Sequence, residues 1–129
     1  MNSKQKGDLG VVAAIQYYVS RGYSVSLPLS DAQRYDLVVD VSGILYRVEI
    51  KTSAIGKFSL RTLGGNRSWN GTTIKKLSSD DCDLIFLYNC STGDMWEYKI
   101  AELENMSAKT PTEDHKLIRR LNTSEFTTL

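Results

Sequence analysis

The stretch RYDLVVDVSGILYRVEIKTS, residues 34–53, constrains the fold more than any other part of the chain. Apolar and polar residues alternate on both sides of Ser42-Gly43, which predicts two antiparallel strands joined by a two-residue turn. Three apolar pairs then face each other across the strands: Val41 with Ile44, Val39 with Tyr46, and Leu37 with Val48. A slip of one residue would mix the two faces of the hairpin, so these pairs fix its register.

The same register places two carboxylates opposite each other. Asp36 faces Glu49 with Cβ atoms about 5 Å apart, and Lys51 points to the same side two residues beyond Glu49. Like charges that face each other across a sheet are destabilising, so a bound cation is a candidate for offsetting the repulsion. Carboxylates, water and phosphate are the ligands that Mg²⁺ prefers, and a nearby lysine can orient or deprotonate an attacking water. A surface ion pair explains the same spacing, so spacing alone leaves both interpretations open.

The other segments predict an α/β (α+β) domain with a central mixed sheet of about five strands flanked by helices. KGDLGVVAAIQYYVSRGY (6–23) is typical of a helix of about four turns that ends at Gly22. CDLIFLYNC (82–90) is typical of a strand buried on both faces, while YSVSLP, KFSLRT and MWEYKI predict further strands. We expect a single domain over 1–129, in which 101–129 is a helical tail with one or two turns in AELENM and a helix in HKLIRRL.

Composition narrows the classes of function. Apolar residues make up 41% and charged residues 24% of the chain, as in ordinary soluble globular proteins. The formal net charge is +1, so any surface for nucleic acid must be local. No stretch is long and apolar enough to cross a membrane, and the N-terminus lacks the apolar core of a signal peptide. One histidine and two scattered cysteines do not supply a zinc ligand set, so we expect reduced thiols and a cytoplasmic location.

Several of these segments resemble the PD-(D/E)XK nuclease superfamily. In that family an Asp on one strand and a Glu-x-Lys on the next form the metal site, and the matching residues are Asp36, Glu49 and Lys51, with YD in place of PD. KGDLG, RGYSVSLPLSDAQRYDLVVDV, RVEIKTS and DLIFLYNCSTGDMWEYKI also resemble the branch that includes a cyanobacterial group I intron homing endonuclease. The overall plan is similar to that of archaeal Holliday junction resolvases. The resemblance extends over roughly 1–100 and fades in the tail.

The resemblance implies a restriction-endonuclease-like core that hydrolyses DNA phosphodiester bonds with a divalent metal. Asp36 and Glu49 would bind Mg²⁺, with Mn²⁺ as an alternative, and the carbonyl of Ile50 would be a further ligand. Lys51 would position the nucleophile. The catalytic residues implied are therefore the two acids and the lysine of the hairpin.

One position departs from the pattern of the family. The first helix of the family often carries an acid four residues after the Lys-Gly pair, where this chain has Val11. Asp8 lies about one turn earlier and is a candidate accessory acid, or it favours the helix N-terminus. The loss of the helix acid either weakens metal binding or leaves the core pair sufficient.

Local basic clusters are the candidate surface for DNA. They lie on the strand predicted after the catalytic strand, in the loop LGGNRSWNGTT and directly after that loop. The candidates are Lys57, Arg61, Arg67, Trp69, Lys75 and Lys76. A polar loop with a tryptophan can reach bases in a groove while lysines and arginines bind phosphates. For any single lysine, ordinary solvated charge is the simpler interpretation.

Three functions are compatible with these features. The first is a metal-dependent, site-specific homing endonuclease that cuts double-stranded DNA, which the groove-reading loop favours. The second is a structure-selective Holliday junction resolvase, and the third is a catalytically silent DNA-binding protein. Cutting both strands requires two active sites, so we expect a homodimer or homotetramer.

Overall fold

The fold is built on a mixed sheet, seen in a computed structural model that describes residues 1–30, 33–63 and 74–118. The elements in these residues are a helix, α1 (Ser3–Ser20), a 3-10 helix (Ile100–Leu103), and the strands β1 (Ser24–Ser26), β2 (Leu37–Val41), β3 (Ile44–Ser53), β4 (Phe58–Ser59), β5 (Arg61–Leu63), β6 (Ile74–Lys76), β7 (Leu84–Asn89), β8 (Met95–Lys99), β9 (Ala108–Lys109) and β10 (Lys116–Leu117). The main sheet has the order β1-β2-β3-β7-β8-β10, and β4-β9 and β5-β6 form two small sheets. In the main sheet β3 and β7 are parallel and the other neighbours antiparallel. The predicted α+β class with a mixed sheet is therefore confirmed, with six strands rather than about five.

The predicted hairpin is present as β2 and β3, in the predicted register. The pairs are Val41 with Ile44, Val39 with Tyr46, and Leu37 with Val48. Ser42 and Gly43 have φ angles of 53° and 91°, the positive values that a tight two-residue hairpin turn requires. The N–H of Gly43 donates to Asp40 Oδ1 at 2.8 Å, which fastens the turn. The local pattern of the sequence is therefore sufficient to set the strand that carries Glu49.

Helix α1 covers one face of the sheet. It begins with a capping box in which Asn2 and Gln5 exchange side-chain and backbone hydrogen bonds, and Gly22, with φ of 84°, follows its C-terminal cap. The helix lies very close to β3 at Gly10, where an added Cβ would overlap Thr52 Oγ1 and would come within 3.1 Å of Ile50 Cγ2. The absence of a side chain at Gly10 lets the helix backbone pack directly behind the strand that carries the acid.

Buried apolar residues form two clusters, one on each face of the main sheet. The helix-side core consists of Ala13, Ala14, Tyr18, Leu37, Val39, Val48, Ile50, Phe86 and Met95. The opposite core consists of Phe58, Leu60, Leu77, Cys82, Ile85, Leu87, Trp96, Tyr98, Ile100 and Leu103. Because neighbouring residues of β7 alternate between the two cores, this strand is buried on both faces, as predicted. In the described residues the opposite core is covered by short strands and the 3-10 helix, so an α-helix flanks one face of the sheet instead of both.

Two predicted elements differ from the structure. KFSLRT was predicted as one strand, but it divides into β4 and β5, which belong to separate small sheets. The prediction of a helix in HKLIRRL is wrong in its described part, because Lys116 and Leu117 form a strand that pairs with β8. His115 has a φ of 60°, which is incompatible with a right-handed helix at that residue, and Leu117 packs against the helix-side core. Strand β10 is thus the sixth strand of the main sheet.

Across 1–30, 33–63 and 74–118, no helix has the length and hydropathy needed to cross a membrane.

Candidate active site

The Asp36 carboxylate is held against β3 by backbone hydrogen bonds. Asp36 lies one residue before β2, and its N–H donates to the carbonyl of Val48 at 2.8 Å. Its Oδ2 accepts the N–H of Ile50 at 2.7 Å. The carboxylate therefore sits beside the backbone of Ile50, the residue predicted to offer a carbonyl to the metal. This hydrogen bond occupies Asp36 Oδ2. The other carboxylate oxygen, Oδ1, remains available to coordinate a metal ion.

Glu49 and Lys51 come from the same side of β3. Glu49 lies opposite Ile85 of β7 and is 8% exposed, so its carboxylate is buried in the middle of the sheet. Lys51 Nζ lies 3.6 Å from Glu49 Oε1 and donates to the carbonyl of Arg61 at 2.8 Å. The bond to Arg61 connects β3 to β5. The structure thus brings the three predicted catalytic side chains into one cluster.

The electrostatics of this cluster favour a bound cation. Burial, together with repulsion from Asp36, raises the pKa of Glu49 to about 8, although Lys51 acts in the opposite direction. Burial also raises the pKa of Asp36, against the lowering effects of the Ile50 hydrogen bond and the Lys51 charge. Two carboxylates share one ammonium group, so the ionised pair lacks positive charge. A divalent cation would supply that charge and stabilise both ionised forms.

The donor set suits a hard divalent cation. Asp36 and Glu49 offer carboxylate oxygens, and Mg²⁺ in proteins is commonly held by one or two carboxylates plus waters and substrate phosphate. Among the described residues, no group of three or more acidic, histidine or cysteine side chains could hold a metal. Asp8 is exposed on α1 and therefore does not join the acid pair to form such a group. Val11 packs against the helix-side core, so its position serves packing.

A surface cleft of about 360 Å³ opens at Lys51. Its other lining residues come from three short strands of the two small sheets, β4, β5 and β6: Ser59, Arg61, Thr62 and Ile74. The cleft gives a substrate access to the lysine, and it carries the arginine predicted to bind DNA. Lys51 therefore connects the buried carboxylates to the surface.

Of the predicted DNA-binding residues that the structure describes, Arg61 lines this cleft. Lys57 and Arg61 are exposed, and the residues between them alternate as predicted, with Phe58 and Leu60 buried. Lys76 is exposed and donates to the carbonyl of Asn105 at 3.2 Å. Arg67 and Trp69 lie outside the described residues. Lys75 forms a 2.7 Å ion pair with Asp81.

The cluster around Asp81 was not predicted from the sequence. This aspartate is 1% exposed, and it binds Arg34 as well as Lys75. Its pattern in the sequence, SSDDCD, gives three acids with nothing to distinguish the buried one. Arg34 stands two residues before Asp36, which is the one local hint that it belongs near the site.

Comparisons with known proteins agree with this geometry. The family model described as PD-(D/E)XK endonuclease matches residues 1–123. The solved structure of a bacterial homing endonuclease, I-Ssp6803I, superposes with a TM-score of 0.71 at 26% sequence identity, covering 97% of this chain and 88% of that chain. No curated protein matches the chain. The fold is thus restriction-endonuclease-like, and the chain belongs to the PD-(D/E)XK endonuclease family.

Proposed function

We propose that this DNA endonuclease is a Mg²⁺-dependent, site-specific homing endonuclease that cuts double-stranded DNA. The observation that supports the proposal is the clustering of Asp36, Glu49 and Lys51 beside an open cleft. The similarity to a bacterial homing endonuclease favours the homing type over a junction resolvase. Divalent metal ions are general cofactors of the family, and Mg²⁺ is proposed here because of the hard oxygen donors.

Each residue has a separate role in this proposal. Asp36 and Glu49 hold the metal, with the carbonyl of Ile50 as a further ligand. A bound divalent cation supplies Lewis-acid charge at the scissile phosphate and lowers the pKa of water. Lys51 carries three N–H donors, of which one binds the Arg61 carbonyl and another can face Glu49. The remaining donor can orient the nucleophilic water or bind a phosphate oxygen.

The surroundings of the site complete the proposal. Lys57, Arg61 and Lys76 are exposed near or on the small strands, where they would bind backbone phosphates of duplex DNA. Arg67 and Trp69 are proposed as further DNA contacts. We further propose a single catalytic domain that acts in the cytoplasm as a homodimer or homotetramer, because a cut through both strands requires two active sites.

The test is a cleavage assay on three substrates: a plasmid library of candidate insertion sites, linear duplex DNA and four-way junctions. Each is incubated with Mg²⁺, with Mn²⁺ and with EDTA. Lys51→Ala is compared with Lys99→Ala, which removes an exposed lysine at the end of β8. We expect cutting at one plasmid site that requires the metal, is lost in Lys51→Ala and is retained in Lys99→Ala.

The other outcomes separate the alternatives. Cutting confined to junctions would replace the homing function with that of a resolvase. DNA binding without cutting in any metal, unchanged by Lys51→Ala, would show a catalytically silent protein. Sedimentation of the active protein as a monomer would contradict the proposed assembly.

A further inference from the structure

Asp81 is a buried carboxylate that pairs with two cations, one more than its single negative charge requires. Its side chain has no exposed surface, Oδ1 accepts from Arg34 Nη1 at 3.0 Å, and Oδ2 accepts from Lys75 Nζ at 2.7 Å. The N–H of Ser78 also donates to Oδ2, at 2.9 Å. One cation would neutralise a buried carboxylate. The second cation leaves the cluster of Arg34, Asp81 and Lys75 with a net positive charge.

Arg34 and Lys75 retain N–H groups at the surface that can donate hydrogen bonds to a ligand. The side chains of Arg34 and Lys75 are 36% and 31% exposed. The contact with Asp81 uses one guanidinium nitrogen of Arg34, whereas a guanidinium carries five N–H donors and an ammonium three. Asp81 therefore holds two cations close together against their mutual repulsion, and it fixes donors that would otherwise be mobile.

The cluster stands at the edge of the candidate active site. Arg34 precedes Asp36 by two residues. Lys75 pairs with Thr62 in the β5-β6 ladder, and Thr62 lines the cleft together with Lys51. Asp36 and Glu49 repel DNA whenever they are ionised, so fixed cations beside them would help to hold the DNA backbone in place.

We propose that Arg34 and Lys75, held by the buried Asp81, bind one DNA backbone phosphate beside the scissile phosphate. Arg34 and Lys75 are the binding residues, and Asp81 acts through them as a positioning residue. The inference rests on the proposed endonuclease function for the identity of the ligand, since a fork of guanidinium and ammonium donors suits a phosphate oxyanion. It adds a binding site to that function and leaves the catalytic residues unchanged.

The test measures binding of a fluorescein-labelled DNA duplex by anisotropy over a series of NaCl concentrations, in EDTA so that no cleavage occurs. The variant is Arg34→Gln/Lys75→Gln. Its control is Arg21→Gln/Lys99→Gln, which removes the same charge at two exposed positions away from the cleft. Thermal melts verify that each protein is folded. Losing one phosphate contact should reduce the slope of log K against log salt by about 0.9 and weaken binding at every sequence.

The outcomes distinguish this inference from the proposed function. A reduced slope in the Arg34/Lys75 pair, with a wild-type slope in the control, supports the phosphate site. If wild-type protein cuts DNA and both pairs show the same slope, the phosphate site is wrong and the endonuclease stands. If wild-type protein neither binds nor cuts DNA, the endonuclease function fails and the phosphate site falls with it. Asp81→Asn adds one positive charge, so tighter DNA binding by that folded variant would also overturn the positioning role.

Discussion

Two buried acidic sites of this protein have opposite charge balances. At the first, Asp36 and Glu49 share the single ammonium of Lys51, and burial with mutual repulsion raises the pKa of Glu49 to about 8. At the second, Asp81 alone binds Arg34 and Lys75. Burial alone would raise the pKa of Asp81, but the hydrogen bonds from Lys75, Arg34 and the Ser78 N–H, together with the charge of Lys75, lower the pKa below its ordinary value.

The difference indicates which of the two buried sites is better suited to bind a cation. A carboxylate whose charge is fully compensated stabilises its surroundings, and removing it leaves unpaired cations. A pair of carboxylates without sufficient positive charge costs stability in the free protein, and it gains stability when a cation binds. The unbalanced pair is therefore the better candidate for a metal site, although both sites are buried.

The largest expected effect is the loss of cleavage in Glu49→Gln. The amide cannot supply an anionic metal ligand, so the cleavage rate should fall by about 10² to 10⁴-fold. The metal-free variant should at the same time be at least as stable as wild type at pH 8, since a costly buried charge is gone. Cleavage kinetics and thermal melts measure the two effects. Wild-type cleavage rates in this variant would remove Glu49 from the active site.

Asp81→Asn, unlike Glu49→Gln, should mainly reduce the stability of the protein. We expect it to lower the free energy of unfolding by about 1–3 kcal/mol, because Arg34 and Lys75 would face each other without the carboxylate while water screens their exposed parts. The matched control is Asp94→Asn, whose 3.5 Å pair with Lys116 is 32–37% exposed; its loss should cost about 0–1 kcal/mol. Urea unfolding measures both. Equal losses would show that burial of Asp81 does not matter.

Gly10→Ala tests whether the backbone behind the acid pair must remain close to α1. The new Cβ would overlap Thr52 and crowd Ile50, so the variant should lose about 1–3 kcal/mol of stability. Gly7→Ala is the control, because an added Cβ there meets nothing within 4 Å. It should gain about 0.5–1 kcal/mol, since alanine favours helix over glycine. If Gly10→Ala is as stable as Gly7→Ala, close packing of α1 is not required.

The pH dependence of stability should differ between the two acidic sites. In the metal-free protein Glu49 stays protonated up to about pH 8, whereas in the unfolded chain it ionises near 4.5. The stability that this protonation contributes is complete below pH 4.5 and is lost as the pH rises through about 8. The melting temperature should therefore fall over this interval by about 4 °C or more. Glu49→Gln should abolish most of that fall.

Asp81 gives the reverse dependence, because its pKa is lowered by folding. Its contribution is complete above the ordinary pKa of an aspartate and is lost as the pH falls below it. Melts of Asp81→Asn should consequently lack part of the acid destabilisation seen in wild type below pH 4. If the melting temperature of this variant falls at acid pH as much as that of wild type, the ion pairs of Asp81 do not stabilise the protein.

The local sequence was sufficient to predict the hairpin and the three residues that meet on it. Alternation of apolar residues around Ser42-Gly43 fixed the register, since a slip of one residue would expose the apolar face. That register predicted Asp36, Glu49 and Lys51 on one side, and the family resemblance supplied the metal. These features could be predicted because they depend only on contacts between two strands that are adjacent in sequence and joined by a short turn.

The tertiary structure decided what depends on contacts distant in sequence. Asp81 meets Arg34 across 47 residues, and no local pattern distinguishes Asp81 from Asp80 or Asp83. Leu117 joins a strand instead of a helix because pairing with β8 and packing on the helix-side core outweigh its local helical spacing. The burial of Glu49 likewise comes from β7 beside it and from the core above it. Sequence therefore specified which residues are candidates for the chemistry, while long-range packing set their burial, and with it their charge.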